Sequence, residues 1–182
     1  MPIEVTRVII VVSQHWIVGS MHLNGQRIQD VLRDANTNFA RVLDVQVYAD
    51  ANHTTCIAAL PQVMVPKDRI QLVILPEMQH EAPVKRWNNF SARTTANISA
   101  IVGGFYVEGE LQLPVSTIDV VHAFTTQLGT FFPIIRASII APDKKRLSVP
   151  VLFANKRFLN CFNAEDAAKT DADAAELESS VN

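Results

Sequence analysis

A histidine and a cysteine stand three positions apart in His53-Thr54-Thr55-Cys56, the spacing in this sequence that comes nearest to metal chemistry. Imidazole nitrogen and thiolate sulfur are preferred zinc ligands, and a structural site takes four of them. His22 or His80 could join from elsewhere, but no second Cys or His pair at short spacing completes the set. The plainer reading is a loop histidine beside a strand cysteine that packs as a small hydrophobe, and no metal is expected.

Other chemistries find still less. Nucleophilic catalysis needs a Ser or Cys beside a base, yet there is no Gly-x-Ser-x-Gly elbow, and Cys56 and Cys161 both fall in apolar strand patterns where a thiol is inert packing. Phosphate-cradling loops are missing, because the glycines are isolated or paired at a turn instead of opening a helix. Asp30 and Asp119 fall on short helical segments, where solvation or capping accounts for them. No catalytic residue and no cofactor is expected. One basic and aromatic cluster remains, Lys85-Arg86-Trp87-Asn88-Asn89-Phe90-Ser91-Ala92-Arg93. Cations that meet phosphates and rings that stack on bases are the ingredients of single-strand binding, so Lys85, Arg86, Trp87, Phe90 and Arg93 are candidate contacts for nucleic acid or a protein partner. A linker packing Trp87 and Phe90 between two folded units accounts for the same residues.

The elements that must position these groups follow from composition and periodicity. With 182 residues, 48% of them hydrophobic, the chain can bury a sizeable core, and its net charge of −2 gives no global pull toward nucleic acid or anionic membrane. Residues 163–182 hold six acids against one lysine, which leaves the rest of the chain at +3. That acidic stretch, rich in Ala and without aromatics, reads as a disordered, solubilising tail. Two cysteines make no disulfide framework, and the longest early apolar run, Val8 to Val12, is too short for a signal core or a membrane span. A cytoplasmic location follows as the expectation.

An internal repeat organises the chain. Val12, Trp16, Gly19 and Leu23 match Val102, Tyr106, Gly109 and Leu113, ninety residues on. The register then slips, so that Asn38-Phe39 faces Thr130-Phe131 and Pro66-Lys67 faces Ala154-Asn155. Each copy begins with a hairpin, and Gly103-Gly104 supplies the positive φ angles of a two-residue turn. Gly19 and Gly109 interrupt the second strand of each hairpin, which marks a bulge or close backbone approach and suggests a bend for barrel closure. Ile28, Val31, Leu32, Ala35 and Phe39 recur at helical spacing, predicting a helix over 26–36. Ser116-Thr117-Ile118-Asp119 fits a capping box for a second helix ending near Gln127, before Gly129. Strands are expected at 40–48, 56–64 and 69–75, and again at 134–140, 147–153 and 157–162. The fold class is therefore mostly β (α+β): two tandem small β-barrel units, each with one short helix, related by duplication. Their expected bounds are 1–78 and 97–162, with a linker over 79–96 and the tail after 162.

Gly19 before Arg27-Ile28-Gln29-Asp30-Val31-Leu32, with the closing Val65-Pro66-Lys67-Asp68-Arg69-Ile70, resembles a group of uncharacterised bacterial domains with a small Sm-like or SH3-like barrel. The second copy departs from it, carrying Thr117-Ile118-Asp119-Val120-Val121 and ending on Asn155-Lys156-Arg157. The resemblance implies oligomerisation and interaction, with RNA as one class of partner, and transfers no catalytic residue. Two function classes stay open: a structural or interaction protein that self-associates or docks on a larger assembly, and an Sm-like RNA-binding protein.

Overall fold

The computed structural model describes residues 5–76, 93–114, 119–126 and 128–166. They form ten strands: β1 (Val5–Val12), β2 (His15–His22), β3 (Phe39–Tyr48), β4 (Cys56–Pro66), β5 (Leu72–Leu75), β6 (Arg93–Val102), β7 (Phe105–Pro114), β8 (Phe131–Ile140), β9 (Arg146–Asn155) and β10 (Leu159–Asp166). Two short helices, α1 (Ile28–Arg33) and α2 (Val120–Thr126), and two 3-10 turns, Lys67–Arg69 and Lys156–Phe158, complete the description.

Hairpins come first in the ladder because two-residue turns follow the apolar runs. Ser13 and the Gly103-Gly104 pair take positive φ, so Val12 pairs with His15 and Val102 with Phe105. All ten strands then join one antiparallel sheet in the order β10-β6-β7-β8-β9-β5-β1-β2-β3-β4. The sheet is open, which corrects the expectation of two separately closed barrels. Each time the fifth strand returns to the first, it goes no further round: β5 pairs with β1 on one side and with β9 on the other, and β10 pairs with β6.

Four consecutive residues carry the joint. Leu72, Val73, Ile74 and Leu75 lie opposite Ala154, Phe153, Leu152 and Val151, and all eight are buried. Because side chains alternate across a strand, β5 and β9 feed two cores at once. Leu72, Ile74, Leu152 and Ala154 pack with Phe105, Phe124 and Phe132, whereas Val73, Leu75, Val151 and Phe153 pack with Ile10, Ile28 and Leu32. Fully buried Asn155 pins the joint: its amide nitrogen donates to the Ile70 carbonyl at 2.7 Å and its Oδ1 accepts from the Arg157 N–H.

The helices are shorter than their periodicity suggests. Asp34 stops α1 by accepting the Asn36 N–H on its side chain at 2.9 Å, a local alternative to the helical bond, and Phe39, read from its spacing as helical, instead opens β3. Asp119 is itself the cap of α2, accepting from the Val121 and His122 N–H groups, and not the acid three residues after the cap that a capping box led by Ser116 would make it; Ser116 and Thr117 lie outside the described residues. Strand boundaries also shift. Arg93 to Ala96 pair with β7 although the sequence reads them as linker, and β10 runs past 162 because Asn163 to Asp166 continue to pair with β6.

Candidate functional site

Of the candidate contact cluster, Lys85, Arg86, Trp87 and Phe90 lie outside the described residues, and of Arg93 only the backbone is described, opposite Pro114 at the start of β6. Of the two readings of Gly19 and Gly109, bulge or close backbone approach, the geometry is that of the close approach. The bulges lie on the neighbouring strands, where one extra residue falls between Leu43 and Gln46, and between Ile135 and Ser138. Asp44 and Arg136 there adopt positive φ, and each glycine marks the close approach to that bulge.

The histidine and cysteine of the possible metal pair diverge. His53 lies against Trp16 and Tyr48, with ring centroids at 5.9 and 4.9 Å, whereas the Cys56 thiol is exposed. Burial pushes the His53 imidazole below its ordinary value, against the pull of Asp50. Asp50 organises that loop, accepting from the N–H groups of Asn52, Thr54 and Thr55 at 2.8 to 3.1 Å. Those bonds, Thr54 and Thr55 foremost, hold its carboxyl well below the usual carboxylate range. Among the described residues no three His, Cys, Asp or Glu side chains converge as a metal site, and no helix is long and apolar enough to cross a membrane.

Two clefts among the described residues bear on these groups. The larger, about 800 Å³, lies between α1, the Lys67–Arg69 turn and the start of β8, and is lined among others by Arg33, Lys67, Thr130 and Arg157. Two of its cations are already committed to backbone. The Lys67 amine donates to the carbonyls of Val31 and Asp34 and to the Thr37 hydroxyl at 2.6, 2.9 and 2.8 Å, and Arg33 donates twice to the Phe131 carbonyl. Burial lowers the pKa of both groups. Lys156 repeats the arrangement, donating to the carbonyls of Phe124 and Thr125 at the end of α2. These lysines satisfy the orphan carbonyls of two short helices, so the cleft's charge serves the fold. Lys67→Met should leave part-buried carbonyls without their donor and cost about 1–3 kcal/mol in chemical denaturation; an unchanged midpoint would show the bonds to be dispensable. The smaller cleft, about 400 Å³, lies where Trp16 meets Phe105 edge-on near Asp50 and Asp143.

The remaining candidate is the sheet edge. β4 pairs on one side with β3 and, among the described residues, with nothing on the other. Its sequence, Cys-Ile-Ala-Ala-Leu-Pro-Gln-Val-Met-Val-Pro, holds no charged residue. Ile57, Leu60 and Met64 are 54%, 43% and 56% exposed, and neighbouring Phe39 is 48% exposed. Native edges are blunted with charge, proline or bulges because bare N–H and C=O groups invite another strand; here Pro61 and Pro66 interrupt, together with one extra residue, Ile57, where the pairing with β3 slips near the start of the strand. The strand itself was legible as a β-branched, apolar run. Its edge position depends on partners distant in sequence, and the absence of charge over 56–66 was the signal that could have flagged it. β10, at the other end, carries Asn160, Asn163 and Glu165 outward. Compared with protein-family models, with curated proteins and with solved structures, the chain matches none.

Proposed function

We propose that the protein is a non-enzymatic interaction module, built from two copies of one five-strand unit, that self-associates or docks on a larger protein assembly. The observation that carries this reading is β4: eleven residues of uncharged, partly apolar edge strand that, among the described residues, is left open at one end of a continuous sheet. A strand of that kind adds to another chain's sheet through main-chain hydrogen bonds.

Duplication is supported by the pairing order, β5-β1-β2-β3-β4 in one half and β10-β6-β7-β8-β9 in the other. Further support comes from the matched glycine–bulge pairs and from Lys67 and Lys156, each capping its own helix from the first residue of a 3-10 turn. The turns align one residue away from the register read in sequence, Lys67 with Lys156.

The test is the solution mass by light scattering, with absorbance at 260 and 280 nm recorded on the same peak. A defined oligomer, or a stoichiometric protein complex without nucleic acid, is the expected result. A salt-strippable nucleic-acid peak would move the function to RNA binding through the cluster at 85–93, and a clean monomer would overturn self-association.

A further inference from the structure

We infer that the loop between β3 and β4, residues 49–55, is a latch that holds the two halves together at neutral pH and lets go in acid, with the His53 side chain as its trigger. This goes beyond the interaction reading and does not depend on it.

The loop belongs to the first half by sequence but packs on the second. Ala51, 3% exposed, is buried with Trp16 in the core that holds Phe105, Phe132 and Ile134. Ala49, Asp50 and Ala51 form one wall of the smaller cleft, and Phe105, Pro142 and Asp143 form the other. The matching loop of the second half, between β8 and β9, closes in the same way. There the Ala141 N–H donates to the Lys145 carbonyl, as the Ala49 N–H donates to the Thr55 carbonyl, but the closure spans five residues against seven. The longer loop turns back through a positive φ of 56° at His53, and the imidazole lies on Trp16 and Tyr48. Tyr48 itself packs against the second half's core. The ring thus sits where the loop meets the joint between the halves.

What the ring lacks there is an acceptor. Its Nε2 is enclosed and has no hydrogen-bond partner. A protonated imidazole carries an N–H on both nitrogens, so the one at Nε2 would be a charged donor left unpaired, which is costly when buried. Burial is the largest influence on the ring; Asp50 from its own loop and Arg7 from β1 follow and oppose one another. β2 and β3 present Trp16 and Tyr48, and the Tyr48 hydroxyl is engaged with Gln46; His15, next to Trp16, points to the opposite face of β2. On the far wall of the cleft, Asp143 is paired with Lys145 at 3.3 Å. Water is the acceptor that a proton on Nε2 needs, and the ring reaches water by leaving the two aromatic side chains and taking the loop with it. The closed latch therefore favours neutral His53 and the open one accepts the proton. Closure is strongest above the ordinary imidazole value of 6.5 and weakens below it. Asp50, held well below the usual carboxylate range by the N–H groups of Thr54 and Thr55, stays ionised across that window and does not itself switch.

Tryptophan accessibility tests this. The chain has two tryptophans, so Trp87→Phe leaves Trp16, 3% exposed, to report on the latch. Acrylamide quenching of its fluorescence should rise as the pH is lowered from about 7.5 to about 5, with a midpoint below the free imidazole value. The opening constant should grow by at most about tenfold per pH unit, the limit for one proton, while circular dichroism stays unchanged. His53→Phe in that background keeps a ring on Trp16 and Tyr48 without a charge and should remove the step. His53→Asn, which tolerates the positive φ, serves if the first variant misfolds. A quenching step that survives the substitution of His53, or the absence of a step with His53 in place, would overturn the latch. So would a loss of circular dichroism at the same pH, because the whole fold and not the loop would then be opening.

Discussion

Phe153→Ala is expected to cost about 3–5 kcal/mol, the usual range for deleting a buried phenyl ring, and to loosen a part of the chain far from it in sequence. Phe153 belongs to β9, yet it is buried among Ile10, Ile28, Leu32 and Val73 of the other half. Its loss leaves a cavity there, so amide protons of β1 and β2 should exchange faster, and thermal unfolding should fall by on the order of 10 °C for a chain of this size. Phe124→Ala makes the comparison. Phe124 stacks on Phe162 and meets Phe132 edge-on, at centroid distances of 4.1 and 4.9 Å, and both of these ring partners belong to the second half. Its deletion should cost as much and yet spare protection in β1 and β2. Equal exchange profiles for the two variants would mean that the halves unfold as one unit; an effect of Phe153→Ala confined to β8 and β9 would refute the crossed packing.

That crossed packing shows which parts of the fold were legible in advance. The apolar run Val8-Ile9-Ile10-Val11-Val12 and the Gly103-Gly104 turn determine hairpins locally, and local determinants can be read from a line of residues. Leu72-Val73-Ile74-Leu75 reads only as a short apolar run. That both its faces are buried depends on β1 and β9 arriving on either side, one about 60 residues earlier in the chain and the other about 80 later. The same limit applies to the open edge. Residues 56–66 announce a strand by composition, but a strand becomes an edge only when every other pairing has been made. Helix ends were misjudged for a different reason: apolar spacing carried the pattern through Ala35 to Phe39, while the Asp34 side chain, by taking the Asn36 N–H, ended the helix first. The candidate cluster around Trp87 shows a third limit, since composition proposes partners for Lys85 and Arg86 without supplying a surface.

Gly19→Ala should destabilise the protein by about 2–3 kcal/mol, toward the upper end for an added methyl in a packed interior. A Cβ on Gly19 would lie 2.6 Å from Val42 Cγ1 and 2.7 Å from the Leu43 carbonyl oxygen. The valine can rotate, but the carbonyl belongs to the strand backbone beside the bulge, so β2 and β3 must separate. Gly109→Ala meets the same obstacle in Ile134 Cγ2 at 2.5 Å and the Ile135 carbonyl oxygen at 2.9 Å. Both substitutions should therefore cost similar amounts in denaturant titrations, by the same physical route. Gly25→Ala separates space from conformation: its φ of +73° strains any side chain, but no atom lies within 4 Å of the added methyl, so only the roughly 1–2 kcal/mol of a left-handed backbone is lost. Val42→Ala in the Gly19→Ala background should recover little, because it removes the methyl contact and leaves the carbonyl in place. Full recovery would show that the glycine makes room for a side chain, and that the close approach of the two backbones does not set its identity.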